Sequence, residues 1–181
     1  KAQNELVISG GIGYSLTTAF VKGVINSSLK ANGFQPVKEI PLLNAQLDFA
    51  IAENFSIGAA YSYNKFTAEE SRLIDDTMYN AKVTLSRQNI GIRPLFHFGE
   101  DETLDMFVGG RVGFSTWRGD YAITNNFGGN RANQARTPNA FTVQVLFGVR
   151  KYFNDFLGVN FEVGIGTAPY FVGGGLSFKI G

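Results

Sequence analysis

The chain has 181 residues, a formal net charge of +1 and no cysteine. This length suits one domain, and the near-neutral charge gives no electrostatic reason to expect nucleic acid as a partner. The absence of cysteine excludes disulfides, thiolate metal sites and cysteine nucleophiles. We therefore predict a single domain over residues 1–181.

Glycine and aromatic residues are both abundant, whereas charged residues make up only 17% of the chain. No stretch approaches the roughly 18 consecutive apolar residues that a transmembrane helix requires. The N-terminal residues Lys1–Glu5 carry no apolar leader. In an exported protein, this numbering would therefore begin after a removed signal peptide.

Apolar side chains recur at every second position along eight segments. In the second segment, for example, Leu47 and Phe49 alternate with Gln46 and Asp48. A strand sends successive side chains to opposite faces, so each segment has one apolar face and one polar or small face. The eight segments are residues 6–16, 43–51, 55–64, 81–98, 104–114, 141–150, 157–165 and 172–180.

The fourth segment changes phase along its length. Residues up to Leu85 place apolar side chains at odd positions, whereas Ile90 and its successors place them at even positions. A shift of this kind is typical of a β-bulge, which we predict near Arg87 to Asn89. Pro94 lacks an amide donor, so we expect irregular pairing there.

The connections between segments alternate in length. Short turns are predicted at residues 53–54, 99–103 and 154–155, and long polar loops at residues 18–36, 67–77 and 119–138, with a shorter one at 167–169. This pattern predicts an antiparallel up-and-down meander with both termini on the short-turn side.

Alternation alone does not separate a membrane barrel from a soluble one, which turns its apolar face inward. Here the other face consists mostly of Gly, Ser, Ala, Asn, Gln and Thr, which suits a narrow interior better than a solvated exterior. We therefore predict an all-β fold, an eight-stranded antiparallel up-and-down transmembrane β-barrel.

Aromatic side chains near the segment ends are typical of the two girdles of such a barrel. We assign to the long-loop ends Tyr14, Tyr61, Tyr63, Tyr79, Trp117, Tyr121, Phe141 and Tyr170. We assign to the short-turn ends Phe49, Phe55, Phe98, Tyr152, Phe153, Phe156 and Phe178.

The C-terminal sequence Gly175-Leu176-Ser177-Phe178-Lys179-Ile180 is similar to the assembly signal of small outer-membrane barrels, although Gly181 replaces the terminal aromatic residue. The whole chain resembles the family that includes OmpA transmembrane domains and OmpX, especially its Gly- and Phe-rich members from Bacteroidota. This resemblance implies the outer membrane of a Gram-negative bacterium, with periplasmic termini. It does not give a function, because members of the family range from adhesins to lipid enzymes.

Seven charged residues take the inward phase of the predicted strands. Both signs are present, so these side chains can pair in a narrow lumen. We predict a salt-bridged lumen plug with a structural role, the alternative being a polar gate for small solutes. The lumen plug consists of Asp48, Arg93, Asp105, Arg111, Arg150, Glu162 and Lys179.

His97 is the only histidine in the sequence and is therefore the residue to consider for catalysis. Lipid A deacylases and palmitoyl transferases of this architecture use a His with a Ser or Asp near the outer leaflet. His97 instead lies just before the short turn at Gly99, with no catalytic motif around it. We predict no catalytic residue.

The loops offer other motifs. Arg118-Gly119-Asp120 spells an integrin-recognition tripeptide, but three residues recur easily by chance. The Gly clusters at 10–13 and 173–175 do not open helices and are read as strand glycines, so we predict no cofactor. The predicted loops carry the charges Lys22, Lys30, Lys38, Glu69, Glu70, Asp75, Asp76, Arg118, Arg131 and Arg136.

The predicted function is a structural or interaction role in the outer membrane, as a small subunit of a larger assembly or alone. The expected partners are outer-membrane lipids, lipopolysaccharide and other outer-membrane proteins. A narrow channel is the alternative, and a lipid-modifying enzyme and an adhesin are weaker ones.

Overall fold

The computed structural model describes residues 5–15, 19–20, 22–24, 27, 38–99, 103–125, 129–167 and 169–181. Lys30 and most of the first predicted loop lie outside the described residues. Nine strands run through the described part: β1 Leu6–Tyr14, β2 Lys38–Ala52, β3 Phe55–Ile74, β4 Thr77–Phe98, β5 Leu104–Asn125, β6 Asn130–Arg136, β7 Ala140–Tyr152, β8 Leu157–Gly166 and β9 Val172–Ile180.

The strands close into a ring. Each strand pairs with its neighbours antiparallel in the order β4-β3-β2-β1-β9-β8-β7-β5, and pairing of β4 with β5 completes the circle. Strands β6 and β7 both pair with β5, one above the other, and so share one place in the ring. The predicted eight-stranded antiparallel up-and-down transmembrane barrel is confirmed.

The side chains of the ring alternate sharply between its two faces. On β7, Val145 is 65% exposed, whereas its neighbours Gln144 and Leu146 are each 2% exposed. The outside carries Phe, Ile, Val and Leu, and the inside carries polar and small residues. An apolar exterior around a polar interior is the arrangement of a transmembrane β-barrel. Within the described residues, no helix combines the length and apolar character needed to cross a membrane.

Three strands continue past the apolar belt, which is the band of outward Phe, Ile, Val and Leu side chains around the ring. The upper parts of β3, β4 and β5, together with β6, form a four-stranded sheet, here called the extension, over residues 65–74, 77–88, 116–125 and 130–136. The loops predicted at 67–77 and 119–138 are therefore wrong over most of their length. The β3–β4 connection is only Asp75-Asp76, both with positive φ, which a two-residue hairpin turn requires.

The predicted bulge near Arg87 to Asn89 is also wrong. The pairing of β4 with β3 runs without a register shift from Phe96 to Thr77. Odd residues of β4 face inward throughout. What changes along the strand is the composition of its two faces: apolar residues lie mainly on the inner face up to Leu85 and mainly on the outer face from Ile90 onward. The phase change marks where the strand leaves the apolar belt, because above it the exterior meets water. The irregularity expected at Pro94 is present, since the pairing with β5 is interrupted at Arg93 and Pro94.

Five members of the predicted aromatic girdles lie elsewhere. Tyr79 and Tyr121 lie on the parts of β4 and β5 that belong to the extension. Tyr152 and Tyr170 are buried, and Trp117 is half-buried and packs inside the extension. Tyr152 has the inward phase of β7. Tyr170 follows Pro169 in the β8–β9 connection and turns into the lumen.

Candidate functional site

The inward charges of the lumen plug come from six strands. Asp48, Arg93, Arg111, Arg150 and Glu162 are each at most 1% exposed. Asp105 and Lys179 lie nearer the turn end of the barrel, where their side chains are 9% and 23% exposed. The alternation therefore places all seven predicted residues on the inner face.

Glu162 on β8 is the centre of the upper half of the lumen plug. Its Oε1 accepts a hydrogen bond from Arg93 Nη2 at 2.5 Å, and its Oε2 accepts one from Arg111 Nη2 at 3.3 Å. Gln46 Nε2 donates to Oε2 at 3.1 Å, and the Tyr170 hydroxyl donates to the same oxygen. One buried carboxylate thus joins four strands and one connection.

Asp48 on β2 is the centre of the lower half. Its Oδ1 lies 3.0 Å from Arg93 Nε, and its Oδ2 accepts a hydrogen bond from Arg150. Arg150 Nη1 also donates to Asp105 Oδ2 at 3.3 Å. Arg93 therefore bridges the two carboxylates, which joins the two halves into one network.

Aromatic rings lie beside these cations. The Arg150 guanidinium lies 4.6 Å from the centre of the Phe107 ring, and Arg93 lies 5.7 Å from the same ring. Arg111 lies 4.6 Å from the Tyr170 ring. These cation–π contacts add to the ion pairs in a space that excludes water.

Glycine makes room for this network. A Cβ at Gly58 would lie 2.0 Å from Asp48 Oδ1, and a Cβ at Gly148 would lie 2.3 Å from the Phe107 ring. A larger residue would displace Asp48 at position 58, and at position 148 it would displace the Phe107 ring that lies beside Arg93 and Arg150. The small inward residues therefore provide the space in which large charged side chains pack.

A second hydrogen-bonded chain lies at the turn end. Ser56 Oγ is 2.7 Å from His97 Nε2, and His97 Nδ1 is 2.7 Å from Asp105 Oδ1. This is the order of a Ser-His-Asp triad. However, Ser56 is fully buried and His97 is 6% exposed. Asp105 also binds Arg150, so this chain is continuous with the lumen plug.

Lys179 is apart from the main network. Its Nζ lies 3.6 Å from Glu5 Oε2 and 4.3 Å from the centre of the Tyr152 ring. The first and last strands pair side by side, so this contact ties the two ends of the chain across the closure of the barrel.

Neutral polar residues complete the interior, and their contacts with the charged groups were not predicted from the sequence. Gln144 Oε1 accepts from Arg111 at 3.0 Å, and Gln46 Nε2 lies 2.6 Å from the Tyr170 hydroxyl. Above them, Asn89 Nδ2 donates to Ser115 and Thr142, each at 3.0 Å. Their inward phase was visible in the sequence, but nothing in the pattern distinguished partners of the ions from simple filling.

The interior changes character inside the extension. Phe66 and Ala68 are buried, and Leu85 and Trp117 pack against them. Arg87 lies at the boundary, where its guanidinium is 5.4 Å from the Trp117 ring and its Nη2 donates to the Thr167 carbonyl at 3.1 Å. The charged interior therefore ends under an apolar cluster.

The tripeptide Arg118-Gly119-Asp120 lies within β5, between β4 and β6, and not in a loop. Arg118 Nε donates to Asp120 Oδ1 at 3.2 Å. The two charged groups therefore contact each other on an extended strand.

Comparison with models of known protein families finds no match, and comparison with curated protein sequences finds none either. Among solved structures, Ail, the attachment invasion locus protein of Yersinia pestis in complex with the heparin analogue sucrose octasulfate, is similar with a TM-score of 0.50 and 12% identity, covering 99% of this chain and 100% of that one. The N-terminal β-barrel domain of Pseudomonas aeruginosa OprF gives a TM-score of 0.46 and 15% identity, with the same coverage. At this identity the likeness to Ail shows the fold alone: the chain folds as a small eight-stranded barrel of the outer-membrane kind.

Proposed function

We propose that this protein is an integral outer-membrane β-barrel with a structural or interaction role. In this proposal the lumen plug closes the barrel, and the extension is the surface that meets partners outside the membrane. The observation that carries the proposal is the buried network of Glu162 and Asp48, which joins five strands where a channel would need an opening.

A closed lumen follows from the packing. A conducting path would have to pass Arg111 and Glu162, which are in contact with each other and are each 1% exposed. Separating them would leave two buried charges without partners, which is costly in a space of low polarity. The resting barrel therefore gives no path to solutes.

A non-catalytic role for His97 is part of the same proposal. A serine nucleophile must be reached by its substrate, and Ser56 is fully buried beside His97. Asp105 also pairs with Arg150, so its charge is shared between His97 and Arg150. These contacts support a structural hydrogen-bonded chain, and His97→Ala should leave lipid A composition unchanged when the protein is expressed in an outer membrane.

The expected partners are outer-membrane lipids, lipopolysaccharide and other outer-membrane proteins. The outer face of the extension is polar, with Glu69 between Lys38 and Lys82 and with Arg118 beside Asp120. The similar Ail structure holds a sulfated saccharide analogue, which supports contacts with anionic surface components here.

Planar-bilayer recording tests the closed lumen. The unmodified protein should fold only in detergent or lipid, migrate as a heat-modifiable band and give no large stable currents. Glu162→Ala should raise leak conductance because Arg93 and Arg111 lose their shared partner. Large stable currents from the unmodified protein would contradict the closed lumen, and a folded, monodisperse monomer without detergent would contradict membrane insertion.

A further inference from the structure

A cavity of about 490 Å³ lies on the outer face of the extension, over β4, β5 and β6. Apart from Ala135, the side chains around it are polar and carry hydrogen-bond donors. Two of them are the guanidinium groups of Arg118 and Arg136, and Gln88, Thr116 and Gln134 complete the polar wall.

The two arginines are direct neighbours across the sheet. Arg118 on β5 pairs in register with Arg136 on β6, and like charges placed opposite each other destabilise a sheet. Arg118 Nε bonds to Asp120, which leaves its terminal nitrogens for another acceptor. Among the described residues, Arg136 forms no ion pair. A second anion between the two guanidinium groups would remove the repulsion.

The cavity lies directly above the apolar belt. Two residues below Gln88 and Thr116 on the same strands, Ile90 and Phe114 face outward. The Phe114 ring lies edge-on to the Phe141 ring, with 5.7 Å between the ring centroids. Two residues of a strand span about 7 Å, and four span about 13 Å. The polar wall of the cavity therefore begins about 7 Å above the apolar belt, and Arg118 lies about 13 Å above Phe114 along β5. The long stem of an arginine side chain can bring its guanidinium group down toward the headgroup of a lipid whose acyl chains contact the belt.

We propose that this cavity binds the phosphate of a phosphorylated glycolipid of the outer leaflet, namely the lipid A part of lipopolysaccharide. Arg118 and Arg136 hold the phosphate oxygens, since the planar guanidinium fork matches phosphate geometry. The acyl chains lie over Ile90, Phe114 and Phe141. This inference rests on the proposed membrane insertion, and it adds the residues and the headgroup chemistry.

The test uses the full chain in phosphatidylcholine nanodiscs that contain lipid A, either with its phosphates or enzymatically dephosphorylated. Native mass spectrometry after mild extraction measures how much lipid A stays bound. The variant is Arg118→Gln with Arg136→Gln. Arg131→Gln is the matched control, because Arg131 lies on β6 but has the opposite strand phase.

The native protein and the Arg131→Gln control should retain phosphorylated lipid A, and the double variant should retain it at least about tenfold less, since each charge-assisted hydrogen bond contributes that order of affinity. Dephosphorylated lipid A should be retained poorly by all three. Equal retention of phosphorylated lipid A by the double variant would overturn the inference, as would equal retention of both forms of lipid A by the native protein.

Soluble anions separate the two sources of phosphate. Inorganic phosphate at the same concentration should not displace bound lipid A, because it lacks the acyl chains that contact the belt. Displacement would show a site for free anions and overturn the lipid assignment. Heat-modifiable migration checks that each variant is inserted: failure of the native chain to insert would overturn the proposed function, whereas insertion without selective retention would overturn this inference alone.

Discussion

The spanning part of the barrel and the extension are built from the same strands but have opposite interiors. Strand β4 carries Arg93 and Asn89 inward in the belt and Leu85 inward in the extension, with no change of register between them. Outside, the same strand passes from Ile90 to Lys82. The surroundings of each part thus decide which residues face inward. In lipid the apolar side chains face outward and the polar ones lie inside, whereas in water the polar side chains face outward and the apolar ones lie inside.

The largest difference between the two parts should come from removing a carboxylate. Glu162→Ala leaves Arg93 and Arg111 buried without their shared partner, which typically costs about 3–5 kcal/mol. Glu69→Ala in the extension removes an exposed carboxylate and should change stability little. Urea unfolding in detergent micelles measures both variants, and equal midpoints would show that the lumen plug is not a coupled network.

The second largest difference should come from a charge introduced on the outer face, which should lower the unfolding free energy in the belt but not in the extension. Val145→Arg projects a cation into lipid and should cost about 2–4 kcal/mol if the residue lies near the midplane. Thr124→Arg, on the exposed outer face of the extension, should be nearly neutral. Refolding yield and unfolding free energy in vesicles measure the pair, and equal tolerance would contradict the assigned belt.

A cavity inside the extension should have a smaller, local effect. Leu85→Ala removes a half-buried contact with Phe66 and should cost roughly 1 kcal/mol, about half the contribution of a fully buried leucine. Hydrogen exchange should quicken in the upper parts of β3 to β5 and remain slow in the belt. Faster exchange along whole strands would mean that the two parts unfold together.

The smallest effect concerns an exposed charge. A hydrogen bond from Lys82, with help from Lys38, lowers the pKa of Glu69 below its usual value. The stabilisation from these contacts is present above the ordinary glutamate pKa and is lost as the pH falls through the lowered one. NMR titration of Glu69 should show the lowered pKa, and Lys82→Gln should raise it. An unchanged pKa in Lys82→Gln would contradict the contact.

The belt was predictable from the sequence because lipid imposes a strict alternation. That rule also placed the seven residues of the lumen plug on the inner face. The rule failed at the extension, because there the outer face meets water and carries the polar residues. The resulting phase change resembled a bulge at Arg87, and the polar residues beyond it resembled loops. The hydrogen-bond partners of the charged groups were harder still to predict. Gln46 and Gln144 have the same pattern as any other inward polar residue, and Tyr170 lies in an irregular connection to which the alternation does not apply.

The central claim is that the polarity of the two faces of β4 reverses between the belt and the extension, and spin labelling tests it most directly. Because the chain contains no cysteine, a single cysteine can carry a nitroxide at Lys82, Thr84, Ile90, Ile92 or Phe96 in turn, all on the outer face. In lipid vesicles, labels at the three lower positions should collide with oxygen and be shielded from a water-soluble nickel chelate. Labels at Lys82 and Thr84 should show the reverse. Equal access of the nickel chelate to all five positions would contradict the account.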